Sequence, residues 1–230
     1  MKEYQGEKAI ISLTSWKARI NTVGKTIFSL IKECPGFHIV LVLSEEEFPK
    51  KEKELPEDLL LLSKYFEILW VYKNYKAFKK VLFTMDKYRD VPVISADDDC
   101  YYTRNYAEEL YNEWIKSKQS CVSYYATYEN GFLITGGYAT LYPPYYFGEC
   151  SMILNASDKK TEAIIQLYED DLLYACLRKK LNKTDVVNLN KRLREITKIH
   201  DEAEPLHNHY ANMKYKMHLK NMWAILNEGN

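Results

Sequence analysis

The chain of 230 residues lacks a long apolar run, an excess of charge of either sign and any paired arrangement of cysteines. No stretch approaches the ~18 consecutive apolar residues that a membrane-spanning helix requires. The 32 basic and 32 acidic residues cancel to a formal net charge of zero, so the composition does not indicate a nucleic-acid partner. The five cysteines are scattered and form no CxxC pair, a pattern typical of free thiols in a reducing cytoplasm.

Several catalytic signatures are also missing. The segment "NTVGKT" (21–26) resembles only the end of a phosphate-binding P-loop and lacks the upstream glycine. GxGxxG, GxSxG and HExxH do not occur either. The first 13 residues contain too short an apolar stretch for a signal peptide. We therefore expect a cytoplasmic protein that does not bind nucleic acid.

The apolar residues that are present follow two kinds of spacing. They make up 47% of the chain, a content typical of a globular protein. Short apolar runs predict strands at 8–13, 37–43, 65–72 and 91–95, and residues with helical spacing lie between them. Strand–helix–strand units of this kind build parallel sheets with right-handed crossovers. We therefore predict an α/β fold with a Rossmann-like, mostly parallel sheet flanked by helices.

The second half of the chain has a less regular pattern. A strand is predicted at 120–126, followed by an aromatic segment of strands and loops at 128–150. Helices are expected from about Thr161 and again after Glu169, and the tail from Leu206 to Leu226 has helical spacing. No linker or internal repeat separates these parts. We expect one domain, 1–230, whose parts are 1–103, 104–182 and a helical tail at 183–230.

Three adjacent aspartates, Asp97, Asp98 and Asp99, follow the fourth predicted strand. Ligands of open parallel sheets bind outside the carboxyl ends of the strands, so the position suits a site. In an extended chain, Asp97 and Asp99 project to one side and Asp98 to the other. Two carboxylates on one side form half of a site for Mg²⁺ or Mn²⁺ that also takes oxygens from a diphosphate. The structural alternative is a solvated turn or a helix-capping cluster.

A second acidic group, Glu169 to Asp171, precedes the apolar stripe of a predicted helix. Asp170 and Asp171 lie near the amino terminus of that helix, where the dipole and free N–H groups favour anions. Capping accounts for one of these acids but less well for three. The functional alternative is a general base directed at an acceptor hydroxyl group, next to a metal-bound leaving group.

Basic residues occur in three notable places. The segment 12–19 closes the first strand with hydroxyl groups and a cation, and 75–83 places lysines around a helix. Lysines on a helix surface, such as those in 75–83, are usually solvated, and phosphate binding by one of them is the less common alternative. The third place is 178–198, where eight Lys or Arg against two acids give a local net charge of +6. This segment suits a solvated helical face or, alternatively, a surface that contacts anionic lipid or a phosphorylated substrate.

Five segments occur in a characteristic order: "ISLTSWKARI", a helix with "KK", "VISADDDCYY", "GGYATLYPP" and "DDLLYACLRKK". Together they resemble small bacterial glycosyltransferases of the GT-A fold, the type often encoded among genes for capsule and lipopolysaccharide synthesis. The resemblance spans about residues 9 to 181. It implies metal-dependent transfer of a sugar from a nucleotide-sugar donor, most simply a UDP-sugar, to a hydroxyl group of a glycan or lipid-linked acceptor.

The resemblance also implies roles for individual residues. Asp97 would lie near the ribose, and Asp99 together with Asp97 would bind Mn²⁺ or Mg²⁺. Asp171 would be the catalytic base of an inverting enzyme, with Asp170 in reserve. It further implies that the half at 1–103 binds the nucleotide and that 104–182 binds the acceptor and carries the base. The remaining donor-binding residues would be Thr14, Arg19, Lys79, Lys80, Asp98, Gly136 and Gly137.

Other functions fit parts of the same pattern. A sugar-nucleotide nucleotidyltransferase shares the fold type but should carry a glycine-rich, arginine-bearing loop after the first strand, where this chain has no glycine. A non-catalytic subunit that binds nucleotide or carbohydrate is a second alternative. A metal-dependent phosphohydrolase would need its aspartate pair after the first strand. The histidines of the tail, His207, His209 and His218, would supply at most a late metal or phosphate contact.

Overall fold

The computed structural model describes residues 2–103, 105–117, 120–155, 157–167, 169–183, 185–190, 196–198 and 212–227. Its main element is a seven-stranded sheet, and two short two-stranded sheets lie beside it. The strands are β1 Ile10–Thr14, β2 His38–Ser44, β3 Glu67–Val71, β4 Val93–Ser95, β5 Cys100–Tyr102, β6 Cys121–Ser123, β7 Ala126–Glu129, β8 Phe132–Thr135, β9 Thr140–Tyr142, β10 Val186–Asn188 and β11 Ile196–Lys198.

The strand order in the large sheet is β10-β6-β9-β4-β1-β2-β3. All neighbouring strands in it run parallel except β9, which is antiparallel to both β4 and β6. The small sheets pair β11 with β5 and β7 with β8. The helices are α1 Val23–Glu33, α2 Glu57–Leu61, α3 Lys79–Lys87, α4 Asn105–Lys116, α5 Cys150–Ile153, α6 Lys159–Gln166, α7 Asp170–Lys180 and α8 Asn212–Asn227.

The sheet is covered on both faces, and its central strands are mostly apolar and buried on both sides. In β2, Ile39, Leu41 and Leu43 belong to one buried hydrophobic cluster, while Val40 and Val42 belong to another. Successive side chains of a strand point to opposite faces, so the two clusters lie on opposite sides of the sheet. Full burial of each such side chain contributes roughly 1.5–3 kcal/mol.

The helices divide between these two faces. The apolar face of α1, with Ile27 and Leu30, belongs to the first cluster together with Leu110 of α4. The second cluster contains apolar residues of α3, α7 and α8, among them Val81 and Leu173. The chain therefore has an α/β fold in which helices flank a mostly parallel sheet and a further helix follows near the carboxyl terminus.

The elements predicted from spacing are confirmed with small shifts in their ends. The strands expected at 8–13, 37–43, 65–72 and 91–95 are β1 to β4, each displaced by no more than two residues at either end. The aromatic segment forms the β7–β8 hairpin and β9, as expected. The expectation of a helical tail over 183–230 was wrong for its first part, where the strands β10 and β11 pair with β6 and β5. The helix α8 occupies the described part of the range expected to be helical at 206–226, and residues 206–211 lie outside the described residues. Within the part of the chain that the structure describes, no helix combines the length and hydropathy needed to span a bilayer.

Candidate active site

The candidate site lies at the edge of the sheet where β1 and β4 end. Because β9 is antiparallel to β4, its amino-terminal end meets the carboxyl end of β4, with Leu141 opposite Ile94. The acidic loop, residues 96–99, therefore lies at the same edge as the segment that leads into β9. That segment contains Gly136 and Gly137. Two motifs that are far apart in the sequence thus meet at one edge.

Within the acidic loop, Asp98 is directed at the segment that follows β1. Asp98 is 7% exposed, and its carboxylate accepts hydrogen bonds from the Ser15 hydroxyl group (2.7 Å) and the Arg19 guanidinium (3.0 Å). Its backbone carbonyl accepts a third bond, of 2.8 Å, from the hydroxyl group of Thr26 in α1. Burial raises the pKa of Asp98 to about 6, although Arg19 and Ser15 act in the opposite direction. Asp98 therefore ties the acidic loop to β1 and α1.

The other two aspartates of the loop converge. The chain is not extended here, because the backbone turns at residues 98 and 99 before β5 begins. Even so, one carboxylate oxygen each from Asp97 and Asp99 and the Sγ of Cys100 lie within 4.8 Å of one another. Asp99 is also 3.3 Å from the guanidinium of Arg19. Two carboxylates at this spacing fit a divalent cation such as Mg²⁺ or Mn²⁺, and the buried thiol adds a softer donor beside them.

Lys80 joins the two acidic motifs. Its Nζ lies 2.8 Å from Oδ1 of Asp97 and 3.0 Å from Oδ2 of Asp170. The expectation that lysines of this helix are solvated was wrong for Lys80, which is 3% exposed. Burial alone would lower the pKa of this amine, but the carboxylates of Asp170 and Asp97 outweigh burial and raise the pKa of Lys80 well above its usual value. Lys80 is therefore a permanent cation between the two motifs.

Two other residues predicted to bind the donor make contacts within the scaffold. The hydroxyl group of Thr14 donates a hydrogen bond of 2.7 Å to the carbonyl of Val42. Lys79 is 1% exposed, and its Nζ donates to the Lys76 carbonyl at 2.9 Å and lies 3.4 Å from Oδ1 of Asn74. Burial lowers the pKa of Lys79 to about 8. Of the two adjacent lysines, only Lys80 contacts the acids of the site in the described structure.

Gly137 packs so closely against the side chains of Asp171 and Lys80 that a residue with a Cβ atom would not fit there. A Cβ atom built on Gly137 would lie 2.7 Å from Oδ1 of Asp171 and 3.1 Å from Nζ of Lys80. A Cβ on Gly136 would instead meet the ring of Tyr138 at 2.8 Å. The amide of Gly136 donates to the Tyr125 carbonyl at 3.0 Å. The glycine pair therefore permits close packing of the segment before β9 against α7.

The second acidic motif lies at the amino terminus of α7. Glu169 is the residue that precedes the helix, and Asp170 and Asp171 are its first two residues. Burial and the charge of Asp170 raise the pKa of Asp171 well above its usual value, with Lys80 and Arg178 acting in the opposite direction. Burial, followed by the charge of Asp170, also raises the pKa of Glu169 to about 7. Carboxyl groups that titrate closer to neutral pH are suited to proton transfer.

The sequence did not identify some residues that shape the site. Ser15 and Tyr102 were missed; the Asp97 amide donates to the Tyr102 hydroxyl group at 2.7 Å. Arg178 was assigned to a solvated basic face, and that was wrong, because it is 1% exposed. The signal that was overlooked is its position seven residues after Asp171, on the same helix face.

The tail histidines lie apart from the acidic loop or outside the described structure. His218 is on α8, with its Nδ1 3.9 Å from Oε1 of Glu169. His207 and His209 fall in 199–211, outside the described residues.

Comparison of the chain with models of known protein families and with curated proteins found no match.

The close approach at Gly137 leads to a stability prediction. Gly137→Ala places a methyl group against Asp171 and Lys80, so we expect a loss of roughly 1–3 kcal/mol in the free energy of unfolding. Gly24→Ala in α1 is the matched control, since its Cβ would come no closer than 3.4 Å to Asp58. Alanine is favoured over glycine in a helix, so the control should be neutral or stabilising. Equal urea midpoints for Gly137→Ala and the wild type would contradict the packing described for Gly137.

Proposed function

We propose that the protein is a metal-dependent glycosyltransferase of the GT-A type. It transfers a sugar from a nucleotide-sugar donor, with a UDP-sugar the first candidate, to a hydroxyl group of a glycan or lipid-linked acceptor in cell-surface polysaccharide synthesis. The observation that carries the proposal is the contact of Lys80 with both Asp97 and Asp170 beside Gly137. Four of the five segments that resemble this family thereby meet at one end of the sheet, where ligands of such sheets bind.

The strand order is in keeping with this proposal. The strands β1 to β4 run parallel and would form the nucleotide-binding half, and the antiparallel β9 brings the second half beside them. The acidic loop and the glycine pair lie on either side of that junction. A donor diphosphate would rest at the loop, and its sugar would extend toward Gly137 and α7.

Asp97 and Asp99 would hold the divalent cation, since their carboxylate oxygens converge within 4.8 Å. When bound, Mn²⁺ or Mg²⁺ would neutralise negative charge on the diphosphate leaving group. Arg19, which contacts both Asp98 and Asp99, is placed to add a second positive charge at the same end. Lys80 fixes the orientation of the Asp97 carboxylate through its 2.8 Å contact.

The two acids of α7 differ in what they can do. Asp170 is paired with Lys80 at 3.0 Å, so its carboxylate is engaged within the protein and is less well placed to meet an acceptor hydroxyl group. Asp171 has no hydrogen bond to Oδ1 within the described residues and faces Gly137. We assign to Asp171 the removal of the proton from the acceptor hydroxyl group, which then attacks the anomeric carbon with inversion. In a retaining enzyme, Asp171 would instead orient the donor or acceptor.

The segment after β1 bears on the alternative of a nucleotidyltransferase. That class would use a glycine-rich loop here to bind phosphate, whereas Ser15 and Arg19 of this chain bind Asp98. A non-catalytic subunit that binds nucleotide or carbohydrate would retain donor binding without transfer. The experiments below separate that alternative from an active enzyme.

A lipid-linked acceptor would lie at the membrane. We therefore propose that the basic segment 178–198 contacts the inner face of the plasma membrane peripherally. The burial of Arg178 removes one charge from this surface, and residues 191–195 lie outside the described structure. The contact would rest on Lys180 and Lys183 together with the charges of that further segment. We also propose a cytoplasmic location, because this contact would be with the inner face of the membrane.

Metal-dependent nucleotide binding is the first test of the proposed function. We expect MnCl₂ together with one of UDP, GDP or CDP to raise the melting temperature more than either component alone. Asp99→Asn removes a ligand of the cation and should abolish this increase while leaving the melting temperature without additions nearly unchanged. Asp90→Asn, at an exposed acid, is the control and should behave like the wild type. A wild type that shows no metal-dependent increase with any of these nucleotides would rule out the proposal.

The role assigned to Asp171 is tested by separating binding from transfer. Asp171→Asn should retain the stabilisation by Mn²⁺ and nucleotide, because Asp171 contacts neither Asp97 nor Asp99 in the described structure. Release of nucleoside diphosphate from a panel of nucleotide sugars in the presence of acceptor glycans should fall about 10²–10⁴-fold, the usual contribution of a general base. Release at the wild-type rate would exclude Asp171 as the base. Binding without release in the wild type would favour the non-catalytic subunit.

A further inference from the structure

Arg178 is a buried cation for which the fold offers no ion-pair partner at close range. It is 1% exposed, and no carboxylate of the described residues lies within 4.0 Å of its guanidinium. Two of its nitrogens, Nε and Nη1, have no hydrogen-bond partner within the described residues. A buried guanidinium is unfavourable unless a negative charge compensates it. An anion close to Arg178 would therefore stabilise its buried charge.

Asp171 is the carboxylate placed to do this. The two residues lie seven positions apart on α7, which is close to two helical turns, so they share a face. Long side chains on a helix lean toward its amino terminus, and the arginine therefore reaches back toward the turn that carries Asp171. Oδ1 of Asp171 also lacks a hydrogen-bond donor within the described residues. The acceptor Oδ1 of Asp171 and the donors Nε and Nη1 of Arg178 thus lie on the same side of the helix, and none of the three has a hydrogen-bond partner within the described residues.

The remaining nitrogen of Arg178, Nη2, connects α7 to the hairpin strand β8 through hydrogen bonds to described residues. Nη2 donates to the carbonyl of Leu133 at 3.1 Å and to the hydroxyl group of Thr135 at 3.0 Å. Thr135 directly precedes Gly136 and Gly137. Arg178 therefore fixes the strand that delivers Gly137 to its close approach with Asp171.

We propose that Arg178 is a positioning residue of the candidate site: its buried charge stabilises the ionised form of the Asp171 carboxylate relative to the protonated form, and its hydrogen bonds to β8 set the distance between that carboxylate and Gly137. The effect of Arg178 on the proton affinity of Asp171 does not depend on the proposed function and can be measured without a substrate. The consequence for transfer rests on the proposed function, because it assumes that Asp171 is the base.

Other ionisable groups surround this part of α7 and enter the design of the test. Lys80 acts on Asp171 in the same direction as Arg178, whereas Asp170 and Asp97 act in the opposite direction. Burial raises the pKa of Glu169 to about 7, so this neighbouring carboxyl group needs its own control. The further groups on the elements packed here are Cys121 on β6, Tyr142 on β9, Tyr146 in the loop after it, Tyr174, Cys176 and Lys179 on α7, and His218 on α8.

The test measures the ionisation of Asp171 by carboxyl ¹³C NMR on protein labelled at aspartate, without metal or nucleotide. Asp171→Asn assigns the signal. Removing the charge in Arg178→Met should make the Asp171 carboxyl group at least ~10-fold weaker as an acid. Arg178→Lys should restore most of the acidity, and Arg89→Met, at an exposed arginine, should leave it unchanged. An unchanged titration of Asp171 in a folded Arg178→Met protein would overturn the proposal.

A second measurement needs no substitution of Arg178 and decides the matter if Arg178→Met fails to fold. In ¹⁵N-arginine-labelled wild type, the Nε–H signal of Arg178 should shift over the pH range in which Asp171 titrates. The shift should vanish in Asp171→Asn and persist in Glu169→Gln. A signal that does not follow Asp171 would contradict the proposal. Neither experiment involves a donor, so a failure here is distinct from a failure of metal-dependent nucleotide binding.

Discussion

The buried ammonium group of Lys80 is the contact on which the arrangement of the site depends. An isolated charge in the interior is strongly unfavourable, and this one is compensated by Asp97 on one side and Asp170 on the other. The backbone of Lys80 is held as well, since its carbonyl accepts a hydrogen bond from the hydroxyl group of Ser12 in β1. One residue thus connects the central strand, the helix α3, the acidic loop and α7.

This connection separates the roles of the clustered acids. Asp98 is committed to Ser15 and Arg19 and holds the loop to the scaffold. Asp97 and Asp99 remain together at the surface of the loop, with converging oxygens suited to a cation. Their mutual repulsion is reduced by neighbouring positive charges and would be removed by a divalent ion. Three identical side chains in sequence therefore have two different functions in the proposed mechanism: Asp98 holds the loop, and Asp97 and Asp99 would hold the cation.

Much of the fold could be predicted from the sequence because it depends on local periodicity. The apolar runs located β1 to β4, and the acidic loop was expected at the end of β4, where it lies. The turn at residues 98 and 99 was one of the alternatives left open, because three polar residues have no periodicity that separates a turn from an extended chain. The small shifts at strand ends have little effect on which side chains face the core.

The contacts within the site could not be predicted in the same way. A lysine or arginine on an amphipathic helix normally points to solvent, so spacing alone assigned Lys80 and Arg178 to the surface. Their burial follows from partners far away in the sequence: Asp170 for Lys80, and the β8 residues Leu133 and Thr135 for Arg178. Only the tertiary structure brings these charges and their partners together.

The most direct test of this account is the free energy of unfolding of Lys80→Met at pH 7, measured beside Lys25→Met at an exposed lysine of α1. If Lys80 compensates Asp97 and Asp170, its removal leaves two carboxylates without their cation and should lower the free energy of unfolding by about 3–5 kcal/mol. The exposed control should change by less than about 0.5 kcal/mol. A loss for Lys80→Met no larger than that of the control would contradict the claim that Lys80 holds the two acidic motifs together.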